Sequence, residues 1–292
     1  MVTLALALTL AAPASAASQP VEPIERTARG HRSGAGGVRW ERHFQDALRK
    51  ARAQHKPVMI DFWAEWCGWC HRLDQTTYVD PTVVKMTEDF VAVKIDTEDD
   101  PRGAAIAVRY DVTSLPTIAF VSPDGRPLLR VNGYQGPGQF PRTLEAAREV
   151  AHKVMAWEAA LEVNPNDAAA LAALGTHLFE QDAYRESREL LARAMKLDGG
   201  RPLEERKRTR LLLGAIEKSD DRYGQAETVL KDGLALAPSP EQDAKLLYVL
   251  GRMYAASNRP AQARVTLEKI VTNYGQTGIA QKARESLAAL DK

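Results

Sequence analysis

Residues 58–70 read VMIDFWAEWCGWC, and what these thirteen residues fold into decides the architecture of the first half of the chain. Val58 to Phe62 is a nearly continuous apolar run, broken only by Asp61, which is the pattern of a central strand covered on both faces. Cys67-Gly68-Trp69-Cys70-His71 follows at once. That stretch satisfies two patterns, since C-x-x-C is a dithiol redox motif and C-x-x-C-H is an attachment site for c-type haem. Cys67 and Cys70 are the only cysteines in 292 residues. They exclude a structural disulfide framework, and whatever they do they do as one pair.

Around this stretch, strands and helices alternate from about Val38 to Val150, which predicts an α/β domain. Arg42 to Gln54 has helical spacing, with Phe44, Ala47, Leu48 and Ala51 on one face. Val91 to Ile95 and Thr117 to Val121 are further strands, the latter joined to Leu128–Val131 through the turn residues Ser122-Pro123-Asp124-Gly125. Residues 1–16 read as an export signal: an apolar run from Val2 to Ala12, then Pro13, then Ala14-Ser15-Ala16 as the small-residue cleavage pattern, with no Lys or Arg ahead of the run. Residues 17–37, rich in Pro, Gly, Ser and Arg, read as a disordered tether. No segment approaches the roughly twenty apolar residues of a transmembrane helix. With 39 Lys plus Arg against 38 Asp plus Glu, there is no overall field to draw a nucleic acid.

VMIDFWAEWCGWC together with Ser114-Leu115-Pro116-Thr117 resembles the thioredoxin family. The flanking residues, Trp40, Lys56-Pro57 and Thr77-Tyr78-Val79-Asp80-Pro81, are most similar to the C-terminal thioredoxin-like domain of DsbD-type disulfide reductases. The resemblance covers about residues 38–150. It implies a first cysteine at the exposed N-terminus of a helix, a buried acid beneath the pair and a cis proline packed against the disulfide. The matching positions are Cys67 and Cys70, Asp61 and Pro116. Trp66, Gly68, Trp69 and Leu115 are the expected substrate-docking residues around them. The dipeptide between the cysteines is Gly68-Trp69 where thioredoxin itself has Gly-Pro, which leaves the direction of electron flow open. The lysine that tunes the acid in thioredoxin aligns near Ala92, with Lys94 two residues along the same face.

Thiol exchange runs through the thiolate, which a helix N-terminus stabilises. Cys67 is then the nucleophile, Cys70 the resolving thiol and Asp61 the acceptor of the Cys70 proton. No cofactor is expected beyond the Cys67–Cys70 redox disulfide. A zinc site would need two more ligands from the scattered His31, His43, His55, His152 and His177. A haem would use His71, but that motif ordinarily opens a small helical haem domain, whereas here it follows a buried strand.

Beyond residue 150 an all-α pattern repeats. Leu-Gly recurs at Leu174-Gly175, Leu213-Gly214 and Leu250-Gly251; twelve residues after each Gly stands Ser187, Ala226 or Ala263, and four further on Leu191, Leu230 or Leu267. This resembles the tetratricopeptide repeat, with units near 168–201, 207–240 and 244–277 within a helical domain spanning 151–292. A helix from Gln139 to Val163 would fuse the two domains, and Thr277 to Lys292 would cap the stack. Glu204-Glu205-Arg206-Lys207-Arg208, being of mixed charge, reads as a solvated helix start.

The sequence therefore predicts an exported, periplasmic-type thiol:disulfide oxidoreductase that reduces protein disulfides with electrons from a thiol donor, its repeats recruiting a protein partner. Two alternatives use the same residues: a repeat scaffold with a regulatory redox site, and a disulfide oxidase or isomerase. The purified protein should carry no covalent haem, which a spectrum after acid and organic extraction checks; a surviving Soret band would overturn the dithiol reading.

Overall fold

The computed structural model describes residues 36–98 and 101–290. The export signal and most of the tether lie outside the described residues. Five strands form one mixed sheet in the order β1-β3-β2-β4-β5, from β1 (Trp40–Glu41), β2 (Val58–Trp63), β3 (Val91–Asp96), β4 (Thr117–Val121) and β5 (Pro127–Asn132). β2 runs parallel to β3 and antiparallel to β4. It is buried throughout except at Trp63, as its apolar run requires.

Side chains on β2 alternate between two cores. Val58, Ile60 and Phe62 pack with Phe44, Ala47, Leu48 and Ala51 of α1 (Phe44–Gln54) and with Ala107, at the end of α4 (Pro101–Arg109). Met59 lies on the opposite face, against Leu73, Tyr78, Val83 and Phe140. Asp61, two residues from Met59, therefore points into that second core. α3 (Pro81–Thr87) on this side is started by Asp80, whose carboxylate accepts the Thr82 and Val83 amides at 2.9 and 3.1 Å. The two-residue β1, too short for any periodicity to mark it, pairs with β3 through Trp40 and Glu41.

α5 (Phe140–Val163) is about 36 Å long and crosses the sheet from end to end. It starts beside the redox end, where Phe140 stacks edge-on against Tyr78 at 5.9 Å. It finishes at the far end, where Glu158 accepts hydrogen bonds from Ser122 Oγ and Arg126 Nη1, both at 2.8 Å. Val150, the expected domain boundary, falls inside this helix. Buried residues before it (Leu144, Ala147) and after it (Ala151, Val154) share one core with Phe120 and Leu128 of the sheet and with Leu171, Leu174 and Leu178 of the repeats. Arg126 Nε also reaches Glu186 at 2.6 Å, and His177 Nε2 donates to the Pro127 carbonyl at 2.9 Å. The two parts are joined by packing and by ion pairs as well as by chain.

Seven helices follow the α/β layer: α6 (Ala168–Glu180), α7 (Tyr184–Lys196), α8 (Leu203–Ser219), α9 (Tyr223–Ala235), α10 (Pro240–Ala256), α11 (Pro260–Asn273) and α12 (Ile279–Leu290). The recurring Leu-Gly has a steric cause. A Cβ at Gly175, Gly214 or Gly251 would stand 2.9, 2.6 or 2.9 Å from the side chain of Leu191, Leu230 or Leu267 on the next helix. Ser187, Ala226 and Ala263 are fully buried in the same contacts, and Ser187 Oγ donates to the Gly175 carbonyl at 2.7 Å. α8 and α10 begin at Leu203 and Pro240, about one turn ahead of 207 and 244.

That extra turn corrects the reading of residues 204–208. Lys207 is fully buried and ion-paired to Asp243 of α10, which also accepts the Ser239 amide at 3.1 Å; Arg206 binds Asp198 at 3.1 Å. A charged run at a helix start looks solvated in sequence, but here the neighbouring helix supplies counter-charges that desolvate with it. Because the core is continuous, Leu174→Ala should cost about 2–5 kcal/mol and raise amide exchange in β4 and β5 as well as in α6 and α7. Exchange that rises only in the repeats would show that the two parts open independently.

Candidate active site

Cys67 and Cys70 are joined by a disulfide at the start of α2 (Gly68–Arg72), with Cys67 as the N-cap. The Cys70 amide points at Cys67 Sγ, 3.2 Å away, and the His71 amide at the Cys67 carbonyl, 3.2 Å away. One N–H of the helix start, that of Cys70, thus faces the Cys67 sulfur, where it would stabilise a thiolate, while the His71 amide makes the helix's first backbone bond. Both cysteines are nearly enclosed, Cys67 at 3% exposure and Cys70 at 0%, so the first cysteine is less open than the family resemblance implies. The exposed surface beside them is tryptophan: Trp66 is 65% and Trp69 47% exposed. Gly68 is exposed, with open space where a Cβ would be.

α2 does not continue as an α-helix. Residues Leu73–Thr77 form a π-helical turn closed by the Tyr78 amide on the Leu73 carbonyl at 2.9 Å. Tyr78 and Leu73 enter the core that receives Asp61. Cys70, one turn before Leu73, lies on the same helix face, between helix and sheet. The register of β2 with β4 sets Phe62 opposite Thr117, so Pro116 falls at the sheet end that carries the cysteines. Pro116 is buried and the Leu115–Pro116 peptide bond is cis. Leu115, expected at the docking surface, is half-buried and packs on the α1 side of the sheet.

Asp61 is fully buried. Parallel pairing puts it opposite Lys94, whose Nζ stands 3.3 Å from Oδ2 and 2.5 Å from Asp74 Oδ1. Lys94 sits among the rings of Trp40, Trp63 and Tyr78, at 5.4, 5.4 and 5.7 Å. Neither Asp61 oxygen accepts a hydrogen bond of sound geometry from the described residues, and the Tyr78 hydroxyl approaches without completing one. Burial pushes the Asp61 carboxyl up to about 6; Lys94 pulls against that rise and Asp74 adds to it. Burial, then the charges of Asp61 and Asp74, drives the Tyr78 phenol well above its ordinary value. Counting three residues from the first apolar residue of each strand, Val58 and Val91, pairs Asp61 with Lys94; alignment on the end of β3 points to Ala92, which the register sets opposite Met59.

Two residues the sequence did not single out, Tyr134 and Arg72, join Trp69 at the rim of the site. Tyr134, just after β5, packs on Trp69 with ring centroids 5.4 Å apart, and the Arg72 guanidinium lies 5.7 Å from the Trp69 ring and 5.6 Å from the Tyr134 ring. Burial raises the Tyr134 phenol, but hydrogen bonding to Thr76 and Arg72 outweighs it and leaves the group below its usual value. Nothing in local periodicity marks Tyr134, which reaches α2 only through the sheet. His71 Nε2 donates to the Glu65 carbonyl at 2.7 Å. Among the described residues no group of three or more His, Cys, Asp or Glu side chains is placed to hold a metal ion, and no helix is long and apolar enough to cross a membrane.

Residues 44–148 match the family described as a thioredoxin-like domain. The thiol:disulfide interchange protein DsbD of Vibrio cholerae is 33% identical over 99 residues, covering 33% of this chain and 16% of that protein. DsbD of Ralstonia nicotianae is 29% identical over 136 residues, covering 44% and 22%. The chain thus spans about a sixth to a fifth of the length of these relatives. Among solved structures, the oxidised C-terminal domain of DsbD from Neisseria meningitidis is 27% identical with a TM-score of 0.31, covering 35% of this chain and 90% of that one.

The enclosed carboxyl yields a stability prediction. Asp61 has a folded pKa of about 6 against 3.8 ordinarily, so the folded state favours its neutral form. Its charge costs nothing below about pH 4, costs progressively more up to about pH 6, and above that costs a constant amount on the order of 3 kcal/mol. Asp61→Asn should therefore stabilise the disulfide form at pH 8 and lose that advantage at pH 4, as denaturant unfolding at the two pH values reads. An equal difference at both would show that the carboxyl is not held neutral by burial.

Proposed function

We propose that this chain, whose residues 44–148 form a thioredoxin-like domain followed by a helical-repeat region, is an exported thiol:disulfide oxidoreductase that reduces protein disulfides. The observation that carries this reading is the Cys67–Cys70 pair at a helix start over a buried Asp61 whose carboxyl titrates at about 6. A group of that pKa can take a proton and give it back near neutrality.

In the reduced protein the Cys67 thiolate attacks one sulfur of a substrate disulfide. The Cys67–substrate bond forms as the substrate S–S bond breaks, and one substrate thiolate leaves. Cys70 passes its proton to Asp61 and attacks Cys67 Sγ; the Cys67–Cys70 bond forms and the second substrate thiolate leaves. Two electrons move from the dithiol to the substrate, and a thiol donor returns them in a second exchange. Lys94 and Asp74 lead from the buried carboxyl toward the surface, since Asp74 is the more exposed of the two acids. Buried Pro116 with Leu115, and exposed Trp66, Gly68 and Trp69, form the surroundings that a substrate strand would meet.

Export rests on the apolar run and small-residue site of residues 1–16. The tetratricopeptide reading of α6 to α11 rests on the Leu-Gly contacts, and its curved face is the partner surface in this account. Cys70→Ser keeps the attack and removes the resolution. Incubated with an extract of oxidised exported proteins, it should accumulate mixed disulfides that a reductant releases and that Cys67→Ser lacks. An extract without such adducts would show that protein disulfides are not the substrate.

A further inference from the structure

Arg72, at the rim of the site, has no ion-pair partner among the described residues. It is exposed and lies against two rings, 5.7 Å from Trp69 and 5.6 Å from Tyr134. The Tyr134 ring, on which Trp69 packs, is itself held in place. The Tyr134 hydroxyl is 3.0 Å from Thr76 Oγ1, and the next residue, Gln135, accepts Thr77 Oγ1 at its carbonyl at 2.8 Å and Thr143 Oγ1 at its side chain at 2.6 Å. Thr76 and Thr77 belong to the π-helical turn that continues α2. The clamp therefore ties the helix bearing the cysteines to the strand end of β5 and holds the guanidinium over it. Arg72 is five residues past Cys67, about 7.5 Å along the helix axis. Glu65, the nearest exposed carboxylate in sequence, makes no ion pair with it.

A surface arginine is ordinarily a poor source of binding energy, because pairing must immobilise a long side chain. Here the rings have already done so, and a guanidinium lying over aromatic rings, with one donor toward the Tyr134 hydroxyl, still has in-plane N–H donors left for a carboxylate. We propose that Arg72, held against Trp69 and Tyr134, is a specificity-determining residue that selects disulfides flanked by an acidic residue, with Tyr134 as its positioning residue. This rests on the oxidoreductase reading and names the substrate class that reading leaves open. The electron transfer is the exchange already written; Arg72 takes no part in bond making and acts on encounter and binding.

The test uses the reduced full-length protein and three peptide disulfides that differ only beside the cysteine, where one has Glu, one Gln and one Lys. The structure predicts kcat/KM in the order Glu, Gln, Lys, with about fivefold between the first two at low salt and a smaller spread at about 1 M salt, where the Debye length is about 3 Å. The Glu-to-Lys ratio cancels any general loss of activity. It should fall to about one in Arg72→Gln, and fall in Tyr134→Ala more than in Tyr134→Phe, which keeps the ring. Reduction of all three peptides at equal rates by the unaltered protein, or a ratio that survives Arg72→Gln, overturns the selection alone. Reduction of none of them overturns the oxidoreductase reading and this inference with it.

Discussion

The structure depends on keeping one carboxyl out of water. Asp61 is fully buried on the central strand, and the groups around it answer the cost of that burial. Lys94 lies opposite it across the parallel pair, three aromatic rings enclose the ammonium, and Asp74 on the π-helical turn shares the charge. The balance is left incomplete, since among the described residues neither carboxyl oxygen accepts a hydrogen bond of sound geometry and Lys94 stands off at 3.3 Å. A fully satisfied carboxylate would have a low pKa and would be a poor proton acceptor. Burial, only partly offset by Lys94, holds the Asp61 carboxyl up at about 6, at the cost of stability in the folded protein.

The same face of the sheet builds the link to the repeats. α5 starts beside Tyr78, which bounds the acid's pocket, and ends in the Ser122–Arg126–Glu158 contacts at the opposite end of the sheet. The helical region is thus anchored to the end of the sheet remote from Cys67 by apolar packing and a half-buried charge network. A tether would leave the orientation of a recruited partner free. A shared core fixes the repeats relative to the redox pair, so that a partner bound there, as proposed, would be placed as well as concentrated.

Much of this was legible in the sequence where one local rule decides. The run from Val58 to Phe62 marks the central strand, the helical spacing of Phe44, Ala47, Leu48 and Ala51 marks α1, and the Leu-Gly recurrence marks the helix pairs because a side chain at Gly175, Gly214 or Gly251 would collide with the next helix. The position and chemistry of Cys67, Cys70, Asp61 and Pro116 came from the motif and its resemblance to a family. What stayed hidden depends on pairing between distant segments. Lys94 needed the strand register, Lys207 needed the acid that α10 brings to it, and Tyr134 and Arg72 meet only because β5 ends beside α2. Residue type alone suggested solvent for Lys207, and the buried ion pair with Asp243 decided otherwise.

In the proposed exchange Asp61 takes the proton of Cys70 during resolution, which the pH dependence of single-turnover reduction of a peptide disulfide reads when the unaltered protein is compared with Asp61→Asn. The resolution rate should rise with pH through an inflection near 6, and the variant should be slower by roughly a hundredfold and lack the inflection. Superimposable profiles for the two proteins would contradict it.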